Sequence, residues 1–149
     1  MLSSLFRAST IPVLEQVVKF TETRHGVLAG NIANFDTPGY QTRDLSPALF
    51  QERLQEAIET RHQPASPDYE AAAGLSPGSG ANRRAERELA AFRKVEDSMN
   101  SILRHDEVDV SMEQQVNEIV KNQQQHNLAI SIMSAQFRLL RAAITERVA

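Results

Sequence analysis

MEQQVNEIVKNQQQHNLAISIMSAQFRLLRAAITER, residues 112–147, decides the fold class before the rest of the chain is read. Stepping from Met112 by four and three residues in turn gives Val116, Ile119, Gln123, His126, Ile130, Met133, Phe137, Leu140 and Ile144. Eight of these ten positions are apolar, a heptad seam held for more than four repeats. Ser111 stands where an N-cap is needed, and Gln114 completes a capping box. Asp106, Glu107, Asp109 and Glu113 gather at the helix start, while Arg138, Arg141 and Arg147 lie toward its end. Both groups carry the sign that the helix macrodipole favours. Such a helix is roughly 55 Å long at about 1.5 Å per residue. That is too long for its own short chain to bury.

Working back toward the N-terminus, a shorter seam of the same period runs through Leu14, Val18, Thr21, His25, Leu28, Ile32 and Phe35. Thr10 is its expected cap, and Pro12 suits its first turn. Both seams turn polar midway, at Thr21 and His25 in one and at Gln123 and His126 in the other. Antiparallel pairing sets these layers opposite each other and brings Met1 near Ala149. Buried polar layers can fix register at some cost in stability. Gly26 and Gly30 share a face of the first helix and each costs about 1 kcal/mol in helix propensity. Their spacing predicts close approach of a neighbouring backbone.

The expected fold is therefore mainly α, with long N- and C-terminal helices pairing antiparallel as a coiled coil and a variable, partly flexible middle segment. Residues 1–44 hold the first helix and the turn that ends it, 45–105 the middle segment, and 106–149 the heptad helix. Half of the six prolines and half of the six glycines fall between His62 and Asn82, which predicts a mobile loop there. On either side, Leu45–Thr60 has Leu49, Phe50, Leu54 and Ile58 at helical spacing, and Arg84–Arg104 has Leu89, Phe92, Met99 and Leu103.

Composition removes several classes of function. A net charge of −3 argues against nucleic acid, whose binding proteins cluster excess cations. The absence of cysteine excludes disulfides, zinc–thiolate sites and Cys nucleophiles. With no Trp, two Tyr and six Phe, the core must be aliphatic, which suits helix-on-helix packing better than an aromatic-lined pocket. No run reaches the roughly eighteen apolar residues of a membrane span. Met1–Phe6 carries no positive charge, and Arg7, Pro12 and Glu15 interrupt the apolar stretch, so the N-terminus does not read as a cleaved secretory signal.

Nor does a catalytic or metal motif emerge. His25, His62, His105 and His126 show no metal-ligand spacing. His25 and His126 fall on the seams as hydrogen-bonded core or interface residues, and His62 and His105 sit near segment ends. An EF-hand counted from Asp106 needs glycine where Ser111 stands, so helix capping accounts for the acidic cluster. Gly78-Ser79-Gly80 reads as a linker. Arg83, Arg84, Arg87, Arg93 and Lys94 are interleaved with Glu86, Glu88, Glu96 and Asp97, which predicts an ion-paired helix face. No nucleophile–base pair occurs at usable spacing, so an enzyme is not expected, and no cofactor or small-molecule substrate is implied.

Asn31-Ile32-Ala33-Asn34-Phe35-Asp36-Thr37-Pro38-Gly39-Tyr40 stands apart. It reads as a helix running into a rigid turn. Asp36 and Thr37 are expected to bond their own backbone, Pro38 to fix one dihedral, and Gly39 to supply a positive φ. Asn31-Ile32-Ala33-Asn34 followed by Thr37-Pro38-Gly39-Tyr40 resembles the N-terminal signature of the bacterial flagellar axial proteins, the rod, hook and hook-junction components. That family places the signature after its first helix and a long heptad helix at the C-terminus, as residues 12–44 and 106–147 do here. The short length and the small Pro/Gly-rich middle are most similar to the proximal rod subunits. So are Tyr40-Gln41-Thr42-Arg43-Asp44, Val108-Asp109 and Lys121-Asn122-Gln123. Two features depart from the family pattern. His105-Asp106-Glu107 stands where a Gly-Asn pair is frequent, and the middle segment favours helix where relatives are extended or irregular.

The resemblance implies a structural subunit of the periplasmic rod of the flagellar basal body, exported without a cleaved signal and assembled head to tail into a helical tube. It implies other rod subunits, the rod–ring adaptor, the membrane-ring protein and the flagellar export apparatus as partners. The expected assembly seam is Leu14, Val18, Leu28 and Ile32 with Met112, Val116, Ile119, Ile130, Met133, Phe137, Leu140 and Ile144. A soluble coiled-coil adaptor or export chaperone is the alternative that the C-terminal seam alone permits.

Overall fold

The computed structural model describes residues 9–62, 79–101, 103–105 and 111–146. In chain order these form α1 (Ile11–Ala33), β1 (Arg43–Leu45), α2 (Pro47–His62), α3 (Ser79–Ser101), β2 (Leu103–His105) and α4 (Met112–Glu146). The chain divides into two compact units, Met1–Leu45 with Leu103–Ala149, and Ser46–Ile102.

In the first unit α1 packs antiparallel along α4, as expected from the two seams. Beside them β1 and β2 form a two-stranded antiparallel ladder that pairs Arg43 with His105, Asp44 with Arg104 and Leu45 with Leu103. These strands went unread in the sequence, because three residues are too few to display an alternating pattern. The C-terminal strand also stops the predicted Arg84–Arg104 helix early, at Ser101. Met1 and Ala149, expected to lie near each other, are outside the described residues.

The rows that face each other differ from the predicted seams at alternate positions. On α4 the buried residues are Gln115, Asn122 and Ala129, one heptad apart, with Ile119, His126, Met133, Gln136 and Leu140 half-buried. On α1 the facing row is Thr21, Arg24, Leu28 and Asn31, joined by buried Ile11, Gln16 and Phe20. Thr21, Leu28, Ile119, His126, Met133 and Leu140 thus face inward as predicted. Arg24 takes the place given to His25, Asn31 that of Ile32, Gln115 that of Val116, and Ala129 that of Ile130. Leu14, Val18 and Ile32 are half-buried, His25 and Phe35 are exposed, and Met112, Val116, Ile130, Phe137 and Ile144 are all more than 40% exposed. The physical reason is that the polar residues in the inner row find partners across the helices, and Ala129 needs little room. The bulky row is rotated outward.

That rotation corrects a second expectation. An 18-residue window within Met112–Thr145 has a mean hydropathy of 1.2, and only 6% of it is buried. By length and composition alone α4 is therefore apolar enough to cross a membrane. Its polar residues break up every long apolar run, so the average rather than any run reveals this.

Local signals at the helix ends fared unevenly. Ser111 Oγ accepts the Gln114 N–H at 3.3 Å, and Glu113 lies in the first turn of α4. Asp106, Glu107 and Asp109 lie outside the described residues. At α1, Pro12 sits in the first turn but Thr10 makes no side-chain cap; Ser9 Oγ instead accepts the Ile11 N–H at 3.3 Å. Nothing approaches within 4 Å of a Cβ built on Gly26 or Gly30, which overturns the expected close packing. Both glycines then only weaken the helix. Gly26→Ala should raise the unfolding free energy by about 0.5–1 kcal/mol, measured by urea denaturation followed by circular dichroism.

In the second unit α2 and α3 pack as a helical hairpin. Ser46 Oγ accepts the Leu49 N–H at 3.4 Å and Pro47 opens α2, a favourable helix start. Phe50, Leu54 and Ala57 of α2 and Phe92 and Val95 of α3 supply the core; Leu49 and Leu89 are exposed, and Ile58 is half-buried. Arg61 meets Glu88 at 3.1 Å, both side chains largely buried. The expected loop is corrected at both margins: α2 runs through His62, and Ser79–Asn82, including Gly80 of the supposed linker, belong to α3. Residues 63–78 lie outside the described residues.

Candidate functional site

The signature segment builds a turn and a buried junction. Asn34 caps α1, its N–H reaching the Gly30 carbonyl at 3.2 Å. The Thr37 N–H then bonds the Asn34 carbonyl at 3.0 Å, and the Tyr40 N–H bonds the Thr37 carbonyl at 3.1 Å. Gly39 has φ 77°, so Thr37-Pro38-Gly39-Tyr40 is a type II turn with Pro and Gly at the two central positions that this turn prefers. Asp36 and Thr37 are exposed and make no side-chain hydrogen bond among the described residues, so the main chain holds the turn.

The turn sends Tyr40 back against α1. Its hydroxyl donates to Asn31 Oδ1 at 3.2 Å, and the same oxygen accepts the Arg43 N–H at 3.1 Å. Asn31 Nδ2 donates to the Arg43 carbonyl at 2.6 Å and to Gln115 Oε1 at 3.3 Å. Asn31 is fully buried, so its amide spends both donors and its carbonyl oxygen inside the protein. One side chain thereby joins α1, the turn, β1 and α4.

Two turns earlier on α1, Arg24 performs a charged version of the same task. Its guanidinium grips Asp44 with two bonds, Nε to Oδ1 at 2.9 Å and Nη2 to Oδ2 at 2.7 Å, and Nη2 also reaches Glu118 at 2.9 Å. The Arg24 side chain is 4% exposed, whereas the two carboxylates are about a third exposed. Burial alone would lower the Arg24 pKa; the hydrogen bonds and charges of Asp44 and Glu118 outweigh it and raise the value. Glu118 is held below its ordinary range by the hydrogen bond from Lys121 first and by Arg24 next.

A third layer lies farther along. The Thr21 hydroxyl is 2.9 Å from His126 Nδ1, and Asn122 Nδ2 donates to the Thr21 carbonyl at 2.7 Å. With Glu22, His25 and Gln123 these residues line a cavity of about 110 Å³, so the polar middles of the two predicted seams do meet. His25 joins from the exposed side rather than from the core.

Sequence reasoning missed Arg24, Asp44, Gln115 and Glu118. Hydrophobic periodicity discards polar residues at seam-adjacent positions, and the only local hint was that Arg24 and Asn31 stand seven residues apart. Of the signature residues, Asn31 and Tyr40 enter the junction, Pro38 and Gly39 shape the turn, and Ile32 and Ala33 end α1. Among the described residues no group of three or more His, Asp or Glu side chains is arranged to hold a metal ion. The arrangement ties distant segments of one chain to each other.

The paired terminal helices and the turn after the first of them agree with the resemblance of residues 31–40 to the axial proteins of the bacterial flagellum. The chain is 29% identical over 143 residues to a protein from Aquifex aeolicus (strain VF5), covering 96% of this chain and 97% of that one. That relative is the flagellar basal body rod protein FlgB, and the end-to-end match bears out the resemblance to the FlgB type of rod protein. No family model matches the chain. No solved structure matches it either.

Proposed function

We propose that the chain is a structural subunit of the flagellar basal-body rod, where it assembles with other rod subunits into the shaft that transmits torque. The observation carrying this reading is the match to a rod protein along almost the whole chain. The adaptor or chaperone alternative gains nothing from such a match. The role is mechanical: the α1–α4 pair forms the wall of the tube, and the Asn31–Tyr40 segment sets how the chain leaves it. At the base of the rod the subunit would meet the rod–ring adaptor and the membrane-ring protein, after passage through the export apparatus.

The inverted character of the helix pair supports assembly. Polar contacts fix α1 against α4, while Val116 and Ile130 of α4 are 47% and 42% exposed. Neighbouring subunits would bury this apolar row, and head-to-tail contacts extend a tube where symmetric ones would close it.

Complementation of a strain lacking its own copy tests the reading. Ile130→Glu should abolish swimming in soft agar while the purified chain keeps its helical circular dichroism. Gly39→Val should also abolish it, because a β-branched residue at φ 77° is strained by about 1–3 kcal/mol. Normal swimming by both variants would rule out this assembly role.

A further inference from the structure

The hairpin of α2 and α3 encloses a groove of about 380 Å³ whose floor is made of small side chains, Ala57, Ala90 and Ala91, beside Val95. Arg53, Arg87 and Lys94 stand around it, and Glu56, the acid on its wall, already lies 3.2 Å from Arg53. Arg87 and Lys94 are exposed and make no ion pair among the described residues, contrary to the ion-paired face predicted for α3. They are separated by two helical turns, about 10.5 Å along the axis.

The same hairpin carries a matching ridge. Glu52 and Glu59 of α2 are exposed, lack an ion pair among the described residues and are also two turns apart. Gln55 lies between them and donates to Glu59 at 2.9 Å. None of the three lines the groove of its own hairpin.

We propose that this groove receives the Glu52–Gln55–Glu59 ridge of a second copy of the chain, with the two carboxylates set on Arg87 and Lys94 and Gln55 over the alanine floor. Equal spacing of the two charge pairs is the complementarity that selects this occupant. A helix ridge entering the groove between two others is ordinary helix packing. Groove and ridge lie on different faces, so the contact is head-to-tail and leaves each copy with one unused half. The proposal takes from the assembly reading only the premise that copies meet.

The chain has no cysteine, so a single introduced thiol reports its own position. Full-length Gln55→Cys and Ala90→Cys chains are mixed under mild oxidation. The mixed disulfide is expected well above the roughly twofold excess over either homodimer that random pairing of equal amounts gives, and it should decline as sodium chloride is raised. Adding Arg87→Glu and Lys94→Glu to the Ala90→Cys chain should cut the mixed product about tenfold. Adding Glu52→Lys and Glu59→Lys to the Gln55→Cys chain should then restore it. Circular dichroism of each chain checks that these exposed substitutions leave the fold in place. A mixed product no more than about twice as abundant as either homodimer, the ratio of random pairing, or one unaffected by reversal, overturns the proposal. Motility of Ile130→Glu and Gly39→Val reports on rod assembly separately, so a failed cross-link with lost motility refutes the groove and leaves the rod reading intact.

Discussion

Asn31→Ala is expected to cost roughly 3–5 kcal/mol of unfolding free energy, a large share of the 5–15 kcal/mol typical of a domain. The loss comes from what is left behind. The Arg43 N–H and carbonyl, the Tyr40 hydroxyl and Gln115 Oε1 all lose a partner at once. A buried orphan costs about 1–3 kcal/mol; Tyr40 is only half-buried and Arg43 is exposed, which keeps the total well below four full penalties. Asn31→Asp separates the contributions, because its carboxylate still accepts from Arg43 and Tyr40 but donates nothing to the Arg43 carbonyl or Gln115. Tyr40→Phe removes one bond and should cost about 1 kcal/mol. Urea titrations of the four chains would sink the junction as a keystone if Asn31→Ala proved no worse than Tyr40→Phe.

The contrast between what periodicity found and what it missed has a single cause. A four-three alternation of apolar residues reports that a helix has a sticky stripe, but not what the stripe touches. In α4 the stripe Val116, Ile130 and Phe137 lies outside the pair, while Gln115, Asn122 and Ala129 lie inside it. Side-chain hydropathy places Gln115 and Asn122 in water, because their stability inside depends on partners some eighty to one hundred residues away in sequence. The type II turn was readable because Pro38 and Gly39 impose their dihedrals locally. Its consequence, the return of Tyr40 onto Asn31, was not local and left no mark. Likewise β1 and β2 exist through each other, and neither has a pattern of its own. In α3, charge alternation suggested internal pairing, but Arg87 and Lys94 face a groove. Sequence proximity of opposite charges did not determine which ones meet.

The second large effect concerns Arg24. Arg24→Met removes the cation from two carboxylates and should cost about 2–4 kcal/mol, less than for fully buried anions because Asp44 and Glu118 remain about a third exposed. The pH dependence arises from Glu118. Its folded pKa is depressed, so its contribution is complete above the ordinary glutamate range and is lost as pH falls through the folded value. Lys121 is the larger cause of that depression and Arg24 the next, so Arg24→Met should flatten the acid limb of the stability profile only partly. Arg24→Met with Lys121→Met should remove the Glu118 contribution to that limb, because burial alone then acts on the carboxyl and raises its pKa. Comparing unfolding near pH 7 and about pH 3 reads this directly. Arg24→Met, Asp44→Leu and Glu118→Leu together should recover most of the stability lost by Arg24→Met alone, since an apolar replacement avoids desolvating charges. The Asn31–Gln115 and Thr21–Asn122 layers on either side still fix the register in that triple variant. Persistent instability of the triple variant would mean that the ion cluster stabilises the pair in its own right, beyond specifying how α1 meets α4.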